Sequence, residues 1–180
     1  MKKLIEKSFS DANLSDYISE NLNDPWHGTQ WQGYRYLDNK QKGELGERFV
    51  ESLMDNMGHK VDRAVSSTAG HDRVIDGVLT EIKFSIAQTS KDKKEIKDDT
   101  FIINHVGEKK DWERLIFVGI NRNKESRLGY ITKEDFKKIK KKYFRPQQGG
   151  LKANNDDWIC GGKKVIQLLE SKYYKELSAW

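Results

Sequence analysis

The chain has 180 residues, with 33 Lys and Arg against 28 Asp and Glu, so its formal net charge is +5. This length is typical of one domain, and a mildly basic balance suits a polyanionic partner without requiring one. The single cysteine, Cys160, excludes an internal disulfide framework and a multi-cysteine zinc site. We expect Cys160 to be a packing residue.

The sequence lacks the features of a membrane or secreted protein. No apolar run approaches the roughly 20 residues of a membrane span. Polar residues, rather than an apolar signal region, follow Met1–Ile5. A lone thiol also suits a reducing compartment. These features predict a cytoplasmic protein without membrane contact.

Residues 1–40 are polar and aromatic, and we expect a short helix and an arm there. The aromatic cluster, which includes Trp26 and Trp31, favours a docking patch over a ligand site. A helix is predicted between Gly43 and Gly58, with Gly58 as its C′ stop. Its apolar stripe, spaced at the helical period, comprises Leu45, Phe49, Val50, Leu53, Met54 and Met57.

A β region follows this helix, with extended residues 59–65, a Ser/Thr/Gly loop at 66–70 and two short strands. Residues 88–99 are highly charged, which predicts a loop or a solvated helix end. Phe101–Val106 is a short apolar stretch. Leu115–Ile120 is a continuous apolar run of strand length, which indicates a strand buried on both faces.

Two further helices are predicted near the C-terminus. Thr132 with Asp135 indicates a capping box, with Asp in place of the usual Glu or Gln. A final amphipathic helix is predicted over about 163–177. Helices flanking a small mixed sheet give an α/β class. The capped helix has Phe136, Ile139 and Tyr143 on one side and Lys137, Lys138, Lys140, Lys141 and Lys142 on the other.

The segment Gly70–Ser85 predicts a β-hairpin that carries charged residues. Asp76-Gly77 lies between two β-prone runs and is a strong signal for a two-residue turn. Counting outward from this turn fixes the register of the two strands. It pairs Ile75 with Val78, Val74 with Leu79, Arg73 with Thr80, and Asp72 with Glu81.

This register brings Asp72, Glu81 and Lys83 to one face of the sheet, since side chains alternate along a strand. Carboxylates directly opposite each other are unfavourable, unless a hard cation such as Mg²⁺ lies between them. Asp76 is needed at the turn and is not expected to be a ligand. The alternative is an exposed hairpin with a solvated charged face. The surrounding residues favour a buried sheet instead: Val74, Ile75, Val78, Leu79, Ile82 and Phe84.

This hairpin resembles the core of the PD-(D/E)XK nuclease superfamily, which includes many type II restriction endonucleases. In that family an Asp lies on one strand and Glu-x-Lys on the next, as Asp72 and Glu81-Ile82-Lys83 do here. The Pro of the motif is absent, and Gly70-His71 precedes Asp72 instead. The resemblance covers residues 43–85 and extends more weakly to about 120. It implies a restriction-endonuclease-like core.

The family also places an acid on a preceding helix, often in a Gly-x-x-x-Glu-Arg context. Here Gly43 precedes Glu47-Arg48 at that spacing. At about 100° per residue, Glu47 lies at the rim of the apolar stripe, from which a site between helix and sheet is within reach. We favour Glu47, with Glu44 in reserve. Glu51 and Asp55 are expected to face solvent.

The resemblance implies a catalytic set of Asp72, Glu81, Lys83 and Glu47. Mg²⁺ would be held by Asp72, Glu81, the Ile82 carbonyl and Glu47, and Lys83 would orient or deprotonate the attacking water. One nuclease domain, 1–180, is expected. It would comprise the N-terminal segment 1–40, the catalytic core 41–120, and basic and amphipathic helices over 121–180.

DNA contact requires positive surface. The expected surface is the lysine-rich helix face, for which a merely solvated face is the alternative; it comprises Lys137, Lys138, Lys141, Lys142 and Arg145. A loop with Arg122, Lys124 and Arg127 is a second candidate for approaching DNA. Candidate base-reading residues are Gln88, Asn104, Gln147, Gln148, Asn154 and Asn155.

The favoured function is a Mg²⁺-dependent type II restriction endonuclease that cuts double-stranded DNA at a specific sequence. A homodimer would match the two-fold symmetry of such a site. One alternative is a structure-directed nuclease, of the junction resolvase or repair type. Two others lack this chemistry: a non-catalytic nucleic-acid-binding protein and a metal-independent structural protein. The intact set of Asp72, Glu81 and Lys83 argues against the binding protein, and the structural protein would leave the placement of Glu47 as a coincidence.

Overall fold

A computed structural model describes residues 24–66, 69–89, 95–147 and 156–180. The chain divides into two compact units, Met1–Leu37 with Thr89–Ile96 and Asp38–Gln88 with Lys97–Trp180. Within the described residues, no helix is long and apolar enough to cross a membrane.

The first unit contains a tight turn around a buried carboxylate. Asp24 accepts hydrogen bonds from the Trp26 and Gly33 backbone N–H groups, at 3.0 and 2.6 Å. A single 3₁₀ turn follows at Tyr34–Tyr36. Trp26 and Trp31 are buried, so these two rings of the aromatic cluster are not exposed for docking. Within residues 1–40, where a short helix and an arm were expected, residues 24–38 form turns and this 3₁₀ turn, and residues 1–23 lie outside the described part of the chain.

Helix α1 spans Asn39–Asn56 and begins earlier than the glycine at which the sequence placed its start. The cause is a capping box, in which Asp38 and Gln41 satisfy each other's backbone N–H groups. The C-terminus was placed correctly. Gly58 has φ +89°, its N–H donates to the Asp55 carbonyl, and the following N–H donates to the Met54 carbonyl, which makes a Schellman motif.

The buried face of α1 is centred on Gly46, Val50 and Met54. A Cβ at Gly46 would lie 2.4 Å from the Cβ of Phe84, so the missing side chain permits the close approach of helix and sheet. Because the helix contacts the sheet through Gly46, one edge of the predicted apolar stripe faces away from the sheet. Leu45 and Met57, both expected inside, are 36% and 41% exposed.

The main sheet has six strands in the order β1-β2-β3-β5-β6-β9. The pairing of β3 with β5 is parallel, and the other neighbours are antiparallel. Helix α1 packs on β3, so the predicted α/β class with a mixed sheet flanked by helices is confirmed. The strands are β1 (Val61–Arg63), β2 (Arg73–Ile75), β3 (Val78–Ile86), β5 (Arg114–Ile120), β6 (Arg127–Thr132) and β9 (Lys175–Glu176).

The strand predicted to be buried on both faces is β5, and from Leu115 to Ile120 every residue is buried. The predicted hairpin is β2–β3. Asp76 and Gly77 form its turn with φ +50° and +82°, as a two-residue type I′ turn requires. The Asp76 carboxylate accepts from the Lys60 N–H at 2.9 Å, which ties the turn to the chain entering β1.

A second sheet has three strands in the order β4-β8-β7. The apolar stretch near residue 103 therefore belongs to this sheet and not to the main one. Where β4 pairs with β8, the register shifts between Ile103 and Val106, and His105 has φ +53° there. The strands are β4 (Ile102–Gly107), β7 (Arg145–Pro146) and β8 (Asp157–Gly161).

Helix α2 spans Lys133–Tyr143, and Thr132 caps it by accepting from the Asp135 N–H at 3.1 Å. The prediction of a final helix over about 163–177 was wrong at its C-terminal end, because α3 spans only Lys163–Leu169. The Ser171 hydroxyl donates to the Leu168 carbonyl at the helix end, and the chain then extends so that β9 pairs with β6. The region 121–180 therefore contains strands as well as the predicted helices.

Candidate active site

The β2–β3 ladder ends one residue before the first predicted site acid. Its three pairs match the predicted register and finish at Arg73 with Thr80. The fourth predicted pair, Asp72 with Glu81, does not form as a ladder pair. Instead the Asp72 N–H donates to the Thr80 carbonyl at 2.9 Å, and the Ile82 N–H donates to Asp72 Oδ2 at 2.7 Å. The Asp72 carboxylate thus replaces a backbone acceptor beside β3.

Glu81 is a fully buried carboxylate with two ammonium partners. It is 1% exposed, and its Oε1 atom lies 2.8 Å from Lys83 Nζ and 3.2 Å from Lys110 Nζ. Lys83 belongs to β3, two residues along on the same face, as the alternation predicted. Lys110 belongs to the loop between β4 and β5. Paired lysines permit this burial, because an isolated carboxylate would be strongly disfavoured there.

Asp72 is the acid of the site whose ionisation is disturbed. Burial, and then repulsion from the Glu81 carboxylate, raise the pKa of Asp72 to about 6. The hydrogen bond from the Ile82 N–H and the charge of Lys83 act in the opposite direction, and Glu47 adds a smaller repulsion. Asp72 and Glu81 therefore lie close enough to interact. A cation placed between them would relieve their repulsion.

Glu47 and Glu51 of α1 hold a buried arginine. Arg73 is 7% exposed; its Nη1 lies 2.8 Å from Glu47 Oε2, and its Nη2 lies 3.0 Å from Glu51 Oε2. Arg73 Nη1 also donates to the Asp72 carbonyl at 2.7 Å. Glu51 was expected to face solvent, and this was wrong, because Arg73 points toward α1 and draws both acids to it. The reserve acid, Glu44, lies near Lys40 at 4.0 Å on the exposed side.

Sequence reasoning missed Arg73, Glu51 and Lys110 as members of this region. A signal existed for the first two, because an arginine within an inward-facing strand requires partners. Acids four residues apart lie on one helix face and supply them. No sequence pattern pointed to Lys110, which lies 29 positions after Glu81 in the chain.

The loop that carries Lys110 is fixed against the start of β2. A Cβ at Gly70 would lie 2.2 Å from the Asp111 backbone nitrogen, so the two backbones touch. His71 Nδ1 lies 3.1 Å from the Asp111 carbonyl oxygen. The buried Trp112 donates from Nε1 to the Gly107 carbonyl at 2.7 Å. His71 therefore contacts this loop.

A cleft of about 620 Å³ opens beside Asp72. It shares Asp72 and Glu47 with the predicted site, whereas Glu81 and Lys83 are not among its lining residues. The Lys and Arg side chains on its walls belong to Lys40, Arg48, Arg63 and Arg73. Within the described part of the chain, no cluster of three or more His, Cys, Asp or Glu could hold a metal ion. The carboxylates available together are thus Asp72 and Glu81.

The predicted DNA-contacting face of α2 is exposed at Lys137, Lys138, Lys141 and Lys142, and Arg145 just beyond it is exposed too. Lys140 lies on another side of α2 and forms an ion pair with Glu108. In the second candidate group, Lys124 and Arg127 bind Asp99 at 3.1 and 3.3 Å, so both have internal partners.

Among the candidate base-reading residues, Gln147 accepts from the His105 N–H at 2.9 Å and so has a partner within the protein. Asn104 is exposed on β4. Gln148, Asn154 and Asn155 lie outside the described residues.

Comparison with known proteins gives likeness in structure alone. No family model and no curated protein matches the sequence. A restriction endonuclease in complex with substrate DNA is similar over 94% of this chain and 86% of its own, at 17% identity and a TM-score of 0.46. A bacterial homing endonuclease is similar over 56% of this chain and 72% of its own, at 12% identity and a TM-score of 0.41. Both similarities are similarities of the backbone fold alone.

Proposed function

We propose that this protein is a Mg²⁺-dependent endonuclease that hydrolyses phosphodiester bonds of double-stranded DNA. One observation carries the proposal: Glu81, fully buried, binds Lys83 beside a second carboxylate whose pKa is raised to about 6. Buried acids with perturbed pKa values beside a lysine are characteristic of catalytic sites. A sheet stabilised only by packing gains nothing from such a cluster, because desolvated charges cost stability.

The chemistry of the donor set fits Mg²⁺, which prefers a few carboxylate oxygens and retains other oxygen ligands. Asp72 and Glu81 would hold the ion, with the Ile82 carbonyl as a third protein ligand. Bound there, Mg²⁺ would supply Lewis-acid stabilisation of the phosphate. Glu47 is engaged with Arg73, so any contribution from Glu47 requires that its ion pair be rearranged.

Lys83 would act on the attacking water and on the charge that develops at phosphorus. Its side chain is 16% exposed and its Nζ lies 2.8 Å from Glu81 Oε1, so β3 and the carboxylate fix its position. A preoriented ammonium in a water-poor site stabilises developing negative charge without reorganising. The Ile82 N–H orients Asp72 through their 2.7 Å hydrogen bond. The exposed lysines of α2 would contribute contacts to DNA phosphates.

At the finer level we propose a type II restriction endonuclease, acting as a homodimer in the cytoplasm on a specific sequence. The support is the small chain with a single catalytic motif, since one such site cuts one strand and two copies cut both. Sedimentation of the protein with and without DNA tests the dimer.

The experiment that tests the function is cleavage of plasmid and phage DNA by purified protein, with Mg²⁺ and with EDTA. Lys83→Ala and Asp72→Ala are compared with Asp62→Ala, which removes an exposed acid of β1 whose carboxylate pairs with Lys60. We expect discrete fragments that require Mg²⁺ and disappear in the first two variants alone.

Nicking or smearing that requires Mg²⁺ would retain the nuclease but reject sequence specificity, and branched DNA would then be the next substrate. If linear, supercoiled and branched DNA all remain intact with Mg²⁺, the proposed function is wrong.

A further inference from the structure

One oxygen atom of the candidate site, Glu81 Oε1, has two ammonium partners. Lys83 and Lys110 both lie within 3.2 Å of it. The two lysines also differ in access, because the Lys83 side chain is 16% exposed and that of Lys110 is 44% exposed. Lys110 is therefore the outer and more exchangeable partner.

The position of Lys110 is built into its loop. A Cβ at Gly107 would lie 2.7 Å from Lys110 Cγ, so the glycine leaves room for the lysine stem. The Lys110 carbonyl accepts from Lys133 Nζ at 2.5 Å. At the far end of the loop, the Glu113 N–H donates to the Leu79 carbonyl at 2.8 Å. The backbone is thus held at both ends while the ammonium remains accessible.

We propose that Lys110 is a second active-site lysine with two successive partners. It neutralises Glu81 in the metal-free protein, and it contacts the scissile phosphate once Glu81 is engaged with a divalent cation. This inference rests on the proposed nuclease function. A phosphodiester would supply the Lys110 ammonium with a new anionic partner once Glu81 is engaged with the cation, and the Lys110 side chain, 44% exposed, is open to an incoming ligand.

Because Lys110 has two successive partners, its charge has opposite effects on Mg²⁺ binding and on the rate of DNA cleavage. Its ammonium competes with a divalent cation for the same carboxylate oxygen, so removing the charge strengthens metal binding. The same change removes a cation from the transferred phosphate and slows cleavage. A lysine that only supported the fold would not separate these two quantities in opposite directions.

The test combines calorimetric titration of the metal-free protein with MgCl₂ and single-turnover cleavage at saturating Mg²⁺ and DNA. Lys110→Met is the variant, because it keeps the stem over Gly107 and removes the charge. Lys109→Met is the matched control, since this neighbour is exposed and its backbone N–H, which the substitution keeps, donates to Asp156. Urea denaturation of each variant verifies folding, and Lys110→Gln is a second variant should Lys110→Met fail to fold.

We expect Lys110→Met to bind Mg²⁺ about three- to tenfold more tightly and to cleave about 10²-fold more slowly. Lys109→Met should change neither. Mg²⁺ affinity that is unchanged or weaker in Lys110→Met, or a cleavage rate equal to that of Lys109→Met, would overturn the role of Lys110 alone. A wild-type protein that cuts no DNA would overturn the proposed function together with it.

Discussion

The two faces of the β2–β3 hairpin hold buried charge in opposite ways. On the face toward α1, Arg73 lies between Glu47 and Glu51, and its guanidinium is bonded on both sides. On the other face, Glu81 has exchangeable lysine partners, and Asp72 keeps a pKa raised to about 6. The first cluster is complete within the protein, whereas the second gains if a cation is added.

This difference distinguishes charge that stabilises structure from charge that we propose to perform chemistry. A planar guanidinium between two carboxylates is a rigid arrangement that joins helix and sheet. Lysines are flexible point charges that exchange partners more readily. We therefore expect variants of the first cluster to affect stability most, and variants of the second to affect cleavage most.

The largest effect is expected at Asp72. Asp72→Asn should lower Mg²⁺-dependent cleavage by about 10³-fold or more, because it removes one of the two carboxylates proposed to bind the metal. The free energy of unfolding at neutral pH should not fall. Single-turnover kinetics beside urea denaturation measure both quantities. An Asp72→Asn enzyme that cuts at the wild-type rate would place the chemistry elsewhere.

Arg73 provides the converse variant. Arg73→Met leaves Glu47 and Glu51 partly buried without their cation, which should cost about 3 kcal/mol of unfolding free energy. Arg63→Met is the control, because Arg63 is mostly exposed and lies 3.5 Å from Glu51. Below the melting temperature, the folded protein should still cut DNA. Loss of cleavage without loss of stability would move Arg73 into the catalytic cluster.

Two glycines of α1 sharpen the structural side of the comparison. Gly46→Ala places a methyl group against Phe84 and should destabilise the protein by about 2 kcal/mol, because helix and sheet must separate. Gly43→Ala meets no atom within 4 Å and should stabilise the helix by about 0.5–1 kcal/mol. Thermal melting distinguishes them, and equal melting temperatures would contradict the close approach at position 46.

The remaining prediction concerns the dependence of stability on pH. The folded-state pKa of Asp72, about 6, exceeds the unfolded value of 3.8. The unfolded chain therefore releases this proton first as pH rises, and the Asp72 contribution to stability declines between pH 4 and 6. In EDTA, Asp72→Asn should gain about 1–2 kcal/mol relative to wild type over that interval. Urea denaturation at several pH values checks this, and parallel curves would contradict it.

The hairpin was predictable because its signals are local. Asp76-Gly77 sets the turn, and the turn sets the register of the strands that carry Glu81 and Lys83. Gly58 likewise marks the end of α1 through its positive φ. Such features depend on a few neighbouring residues, which is why a single sequence reveals them.

Other features depend on partners that are distant in the sequence. Lys110 reaches Glu81 from the loop between β4 and β5. Strand β4 pairs with β8 rather than with a strand of the main sheet. Helix α3 stops because Lys175–Glu176 pairs with β6, although its apolar period continues in the sequence. Asp72 does not pair with Glu81 in the β2–β3 ladder, because its carboxylate is a better acceptor for the Ile82 N–H than a backbone carbonyl.

The contact between Gly70 and Asp111 has a consequence for how this sequence can change over evolution. Any side chain at position 70 would strike the backbone of the loop that carries Lys110, whatever its chemistry. A single substitution of Gly70 would therefore displace both Asp72 and Lys110. The two segments lie about forty positions apart in the chain, yet a substitution in one displaces the other. We therefore expect changes in this site to arise as paired substitutions rather than as single ones.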